Sequence, residues 1–235
     1  ADLVIFSELS ICGYPPLDLL ERKEFIESCQ HELEKISRIC KNIGVIIGSP
    51  TLNPDPKGKM LFNSAFFLHQ GKIKKVIHKS LLPTYDIFDE YRYFEPNHHF
   101  ELLEFKGKRI AITICEDLWD EQPFENEFAR RRLYKISPMK ELAKLDPDFV
   151  VNIAASPFSH NRIRAKKEIF INKAKKHQIP LIYVNQVGGQ TELIFEGGSM
   201  VIDNKGKIRE QLKYFESDVR TFTLESLYTN TKISV

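Results

Sequence analysis

The sequence is poor in cysteine and arranges what it has in no metal or disulfide pattern. Cys12, Cys29, Cys40 and Cys115 form no C-x-x-C pair and no metal-finger spacing, so neither a disulfide framework nor a zinc site organises the chain. Long apolar runs are missing too. None approaches the roughly 20 residues of a membrane span, and no basic-then-apolar leader opens the chain. The net charge is only +2, too weak a field to argue for nucleic acid or an anionic membrane as partner. No G-x-G-x-x-G follows the first apolar run, which leaves a dinucleotide-binding reading without support. These absences lead us to expect a cytoplasmic protein with neither a membrane nor a nucleic-acid partner.

What remains is a chain of 235 residues, 42% of them hydrophobic, enough for one large α/β domain with a substantial core. Apolar β-rich runs recur at Leu3 to Phe6, Gly44 to Gly48, Leu61 to Leu68, Ile73 to His78, Arg109 to Cys115, Phe149 to Ile153, Leu181 to Asn185, Ser199 to Asp203 and Thr221 to Leu224. Several are continuous rather than alternating, as in strands covered on both faces. Glu24 to Asn42 sets Phe25, Cys29, Leu33, Ile36 and Cys40 on one helical stripe, with Gly44 as its stop signal. Met139 to Leu145 and Arg164 to His177 read as further helices. Turn signals at His69-Gln70-Gly71-Lys72 and Asp203-Asn204-Lys205-Gly206 predict two hairpins.

Helices alternating with strands, plus hairpins, imply mixed sheets. The basic runs Ala129 to Arg132 and Arg162 to Lys167 read as solvated faces in helical surroundings. No repeat, low-complexity tract or linker appears, so one domain is expected over residues 1–228, with 229–235 a tail or the start of a linker. Ala1 to Phe6 is already a buried-strand pattern, from which we expect a further segment upstream.

Three polar residues stand at the ends of apolar strands. Arg109 to Cys115 is a strand that closes on a cysteine, followed by the polar turn Glu116-Asp117-Leu118-Trp119-Asp120. A thiol at the carboxyl end of a buried strand can act as a nucleophile if a base takes its proton; equally, a lone cysteine there can be core. Glu8 follows the first strand, where the alternative is a carboxylate at a helix N-terminus. Lys79 closes the strand Ile73 to His78, and Glu90 lies in the same loop; the alternative is a surface lysine on a hairpin. Taken together, a carboxylate, an ammonium and a thiol supply the base, oxyanion stabiliser and nucleophile that amide hydrolysis requires.

In that order, these residues resemble the catalytic Glu, Lys and Cys of the nitrilase superfamily of carbon–nitrogen hydrolases, with Glu90 matching a second glutamate of the lysine loop. Within the superfamily, three stretches resemble the glutaminase domains of glutamine-dependent NAD synthetases: Glu8 to Pro16 (ELSICGYPP), Lys79 to Glu90 (KSLLPTYDIFDE) and Asn185 to Ser199 (NQVGGQTELIFEGGS). The resemblance runs from Ala1 to about Leu227. It departs in two ways: the family's first strand and helix have no counterpart here, and no S-G-G-x-D-S phosphate-binding motif of a synthetase domain occurs.

The resemblance implies a four-layer α-β-β-α sandwich with two mixed sheets. It implies hydrolysis of L-glutamine to glutamate and ammonia through a cysteine thioester, with Glu8 as base, Cys115 as nucleophile, Lys79 as oxyanion stabiliser and Glu90 orienting the lysine. Tyr85, Ser156, Arg162 and Glu116 become candidates for holding the substrate, Arg162 toward its carboxylate and Glu116 toward its amino group; a solvent-facing Arg162 is the alternative. No metal and no cofactor are implied in this domain, since ATP and deamido-NAD would bind a synthetase domain of the same protein. Assembly into a homo-oligomer is also implied. The loop Asn185 to Ser199 is expected to border the site and to carry ammonia toward that partner domain, the alternative being a plain surface loop. Two rival readings share the fold: a free-standing nitrilase-type amidase on another small amide, and a non-catalytic binding module.

Overall fold

The computed structural model describes residues 1–121, 123–126, 129–160 and 162–228, and the side chains of all of these except 123–126, 129–132 and 162. The expected tail, 229–235, lies outside the described residues. In chain order the elements are β1 (Leu3–Ile5), α1 (Lys23–Ile39), β2 (Gly44–Leu52), β3 (Leu61–His69), β4 (Lys72–His78), α2 (Glu90–Tyr93), β5 (Leu103–Phe105), β6 (Lys108–Ile114), β7 (Pro123–Asn126), β8 (Ala129–Arg132), α3 (Pro138–Ala143), β9 (Phe149–Ala154), α4 (Arg162–His177), β10 (Leu181–Asn185), β11 (Val187–Gln190), β12 (Leu193–Glu196), β13 (Met200–Ile202) and β14 (Ile208–Gln211).

Two sheets carry the architecture. The first has the order β1-β2-β3-β4, and the second β14-β13-β10-β9-β6-β5. Both are mixed. β1 runs parallel to β2 while β2, β3 and β4 alternate in direction. In the second sheet β6, β9 and β10 are parallel, and antiparallel strands flank them. The central strand β9, Phe-Val-Val-Asn-Ile-Ala, is buried at every position, which explains its unbroken apolar reading.

Side-chain alternation shows how the layers stack. Ile46 of β2 and Ala65 and Phe67 of β3 join the core of the second sheet, with Ile112, Val151 and Ile153. Their neighbours Val45, Ile47, Phe66 and Leu68 point the other way, onto Leu33 of α1. Met139 and Leu142 of α3 and Phe170 and Ala174 of α4 cover the second sheet. Helix, sheet, sheet and helix thus form the four layers expected. A separate apolar cluster gathers Leu9, Tyr14, Leu82, Phe94 and Ala155 from the connecting segments with Leu61 of β3 and Phe195 of β12. It is the floor on which the candidate site is built.

Three expectations need correction. Thr221 to Leu224 forms no strand; the chain is irregular there and ends in a 3-10 turn at Leu224–Leu227. Its β-prone residues pair with no strand among the described residues, and strand propensity is realised only by pairing and packing. Ala129 to Arg132 is a strand, paired with β7 in a hairpin, not part of a helix. Lys166, taken as part of a solvated face, is buried and bonded to Glu196 at 2.5 Å. One position of a basic helical run can face inward when a carboxylate waits there.

Candidate active site

Glu8 sits in the turn that follows β1. The chain continues its pairing at Phe6, whose N–H donates to the Ile46 carbonyl at 2.8 Å. It then crosses tightly over β2, where Leu9 takes a left-handed φ of +46°. The crossing is possible because position 48 is glycine: a Cβ there would lie 2.3 Å from the Leu9 nitrogen. Glu8 is fully buried, and three donors from different segments hold it. Its Oε1 accepts from Asn63 Nδ2 at 2.8 Å and Lys79 Nζ at 2.7 Å, and its Oε2 from the Ala155 N–H at 2.9 Å.

Lys79 is the first residue beyond β4, and its own N–H is fixed on the Asn63 carbonyl at 2.8 Å. Its ammonium has no solvent exposure and bridges two carboxylates, donating to Glu8 Oε1 and to Glu90 Oε1 at 2.7 Å each. Glu90, at the start of α2, also accepts from the Tyr14 hydroxyl at 2.8 Å. Burial alone would lower the lysine, but Glu8 and Glu90 outweigh it and hold the group well above its ordinary value. Burial pushes the Glu90 carboxyl up to about 7, against the pull of Lys79. One cation thus serves two acids, and Tyr14 supplies a neutral donor to the second.

Cys115 follows the last residue of β6 and opens a 3-10 turn, Cys115–Leu118. Its backbone is left-handed, with φ at +43°, a conformation that costs a non-glycine residue about 1–3 kcal/mol. The Asn152 amide of β9 donates to Thr113 Oγ1 at 3.0 Å and to the Cys115 carbonyl at 3.4 Å. Burial first, then the negative field of Glu8, raise the thiol well above its ordinary value, and Lys79 only partly opposes them. The resting sulfur is therefore protonated, and a base must act before it can attack.

Next to Cys115, the buried Glu116 accepts two phenolic hydrogen bonds on Oε1, from Tyr85 at 2.8 Å and from Tyr134 at 2.9 Å. Ser156 is half-buried beside Ala155, and its N–H donates to Asn185 Oδ1 at 2.9 Å. The Arg162 side chain lies outside the described residues. The stretch Asn185 to Ser199 is largely the hairpin β11–β12, which packs on the Glu8 loop. Phe195 meets the Tyr14 ring edge-on with centroids 6.3 Å apart, and Gln190 fills the space above Gly13.

The structure therefore joins Glu8, Lys79 and Glu90 directly, puts Cys115 in their field, and sets Tyr85 on Glu116. Sequence reasoning missed Asn63, Asn152 and Tyr134. Asn63 and Asn152 left a signal, being amides inside apolar strands, where a buried polar group needs a partner. Tyr134 left none. Among the described residues no group of three His, Cys, Asp or Glu side chains is placed to hold a metal ion, and no helix is long and apolar enough to cross a membrane.

A buried carboxylate and ammonium beside a strand-end thiol, on a four-layer sandwich, define a class of protein. The chain belongs to the carbon–nitrogen hydrolase family, whose model matches residues 1–122. Its relatives narrow the class. A glutamine-dependent NAD(+) synthetase of Synechocystis sp. is 40% identical over 93% of this chain and 39% of its own length. One of Aquifex aeolicus is 33% identical over 95% of this chain and 36% of its own. Among solved structures, the glutamine-dependent NAD+ synthetase of Acinetobacter baumannii, in complex with ADP, superposes with a TM-score of 0.80 at 34% identity, covering 93% of this chain and 38% of that one. An amidase of Nesterenkonia sp. shares the fold, with a TM-score of 0.71 at 20% identity over 91% of this chain and 73% of that one. The chain spans less than two-fifths of the length of those synthetases.

Proposed function

We propose that residues 1–228 form a glutaminase domain, which hydrolyses L-glutamine and supplies ammonia to a synthetase domain that converts deamido-NAD to NAD. The observation that carries this reading is the Lys79 ammonium, buried between Glu8 and Glu90 at 2.7 Å from each and acting on Cys115. Other buried lysines of the chain, such as Lys166, also meet carboxylates. Lys79, however, is fully buried between two of them and in the field of a strand-end thiol, which supports a reacting centre there.

In this reading Glu8 takes the Cys115 proton, and the sulfur attacks the side-chain carboxamide carbon of glutamine. The oxyanion that forms is stabilised by Lys79 and by a backbone N–H just after Cys115; loss of one such donor costs roughly 3–4 kcal/mol. Glu8 returns its proton to the amide nitrogen, the C–N bond breaks, and ammonia leaves. Water, deprotonated by Glu8, then attacks the thioester carbonyl, releasing glutamate and regenerating the thiol. Glu90, itself held by the Tyr14 hydroxyl, keeps Lys79 in place and charged. Glu116, with Tyr85 and Tyr134 upon it, receives the substrate's amino group, and Ser156 and Arg162 its carboxylate.

No cofactor enters this domain: ATP and deamido-NAD engage the synthetase domain. The four cysteines are free thiols, which suits a reducing compartment such as the cytoplasm. The test is release of glutamate and ammonia from glutamine, measured beside a simple aliphatic amide. Preference for the aliphatic amide would leave a nitrilase-type amidase with another substrate, and no turnover of either would leave a binding module.

A further inference from the structure

Asp117 takes no part in the chemistry just described, yet its side chain ties the two halves of the site together. It is 3% exposed and accepts three backbone N–H bonds. Oδ1 takes those of Ser80 at 3.0 Å and Leu81 at 2.8 Å, and Oδ2 takes that of Ile114 at 2.9 Å. Ser80 and Leu81 directly follow Lys79, and Ile114 directly precedes Cys115. The lysine segment leaves the first sheet at the end of β4, and the cysteine segment leaves the second at the end of β6. One rigid carboxylate thus spans the gap between the sheets where ammonium and thiol must meet.

Two physical points give the bond set a purpose. A buried carboxylate is costly, and its N–H partners offset that cost only while all are in place. Cys115 also holds a left-handed backbone, which persists only where its surroundings over-determine it. The bond from Ile114 to Asp117 closes the turn across that strained residue.

We propose that Asp117 is a positioning residue, which sets the separation of the Lys79 ammonium from the Cys115 thiol by clamping the backbone beside each. This rests on the amidase reading of the site. A displacement of about 1 Å between reacting groups can cost about 100-fold in rate, so a clamp on both segments bears directly on turnover.

Asp117→Asn is a sharp probe because an amide keeps the shape but offers one acceptor oxygen in place of two. At least one N–H must then face an NH2 group. In the full-length protein, glutamine hydrolysis by Asp117→Asn should show kcat lower by about 100-fold with KM within about threefold of the wild type. Alkylation of Cys115 by iodoacetamide, followed by peptide mass, should slow as well. Asp117→Glu, which restores the carboxylate on a longer arm, should recover part of kcat. Wild-type kcat in a folded Asp117→Asn protein would overturn the proposal, as would a rise in KM alone. So would failure of both variants to fold, because Asp117 would then be a folding residue. A wild type that does not hydrolyse glutamine would sink the functional reading instead; slower alkylation of Cys115 in Asp117→Asn would then still support the clamp, and an unchanged rate would overturn it.

Discussion

Lys79 Nζ and Glu8 Oε1 lie 2.7 Å apart with neither side chain exposed to water. The pair is not self-sufficient, since Glu90 brings a second buried carboxyl group to the same ammonium, one that burial pushes up to about 7. Asn63, Ala155 and Tyr14 supply the neutral donors that make this tolerable.

Removing the lysine should therefore damage both stability and activity. Lys79→Met strands two buried carboxylates, and breaking a buried ion pair in this way costs about 3–5 kcal/mol. Chemical denaturation should show a loss of that size, and glutamine hydrolysis should fall at least about 1000-fold if Lys79 is the proposed oxyanion donor. A variant with wild-type stability would mean that the cluster is not charged as described.

Gly48→Ala tests the crossing of the Glu8 loop over β2. The new methyl would meet the Leu9 nitrogen at 2.3 Å and the Ser7 carbonyl at 2.7 Å, and backbone cannot swing aside as a side-chain tip can. We expect a loss of about 1–3 kcal/mol and a lower kcat as Glu8 shifts. Gly189→Ala, with the Leu193 carbonyl 3.8 Å away, is the matched control and should change neither. Equal effects at the two positions would remove the steric explanation.

The cysteines should separate cleanly. Cys29 is buried on α1, Cys40 lies buried just beyond it, and Cys12 bonds weakly to the Leu9 carbonyl at 3.6 Å. Serine at position 12, or alanine at 29 or 40, should leave glutamine hydrolysis within about threefold of the wild type, whereas Cys115→Ser should abolish it. Loss of activity in Cys12→Ser with survival in Cys115→Ser would reassign the nucleophile.

Asp203 offers a stability probe far from the reaction. Its buried carboxylate accepts from Lys205 N–H at 2.9 Å, Lys207 N–H at 2.8 Å and Arg209 Nε at 2.7 Å. Burial works against the charge, but these bonds and Arg209 win and lower its pKa. Because the folded value lies below the unfolded one, its contribution is fully present above the unfolded carboxylate value of about 4. It disappears as pH falls through the folded value. Asp203→Ala should cost about 1–3 kcal/mol at neutral pH, and the gap to wild type should close on acidification. A gap that widens in acid would contradict the sign.

The hairpin between β3 and β4 was legible because Gly71 marks a turn that needs a left-handed residue, and it sits there at φ +74°, with Gln70 beside it at +52°. The continuous strands of the second sheet were legible for the same local reason: burial on both faces removes alternation. Glu8, Lys79 and Cys115 could each be placed at a strand end, but their mutual approach depends on how two sheets stack. No local pattern encodes that distance. Tyr134 reaches Glu116 from 18 residues further along the chain, and Lys166 finds Glu196 across the fold. Long-range pairs of this kind leave no periodicity to read.

The left-handed backbone at Cys115 sets heat resistance and chemistry against each other at a single residue. Glycine would relieve the strain there but would bring no thiol. A library of this protein selected only for surviving heat should therefore accumulate glycine at position 115 and yield robust, inert molecules. Selection that also requires ammonia from glutamine should hold the cysteine and look for its stability elsewhere.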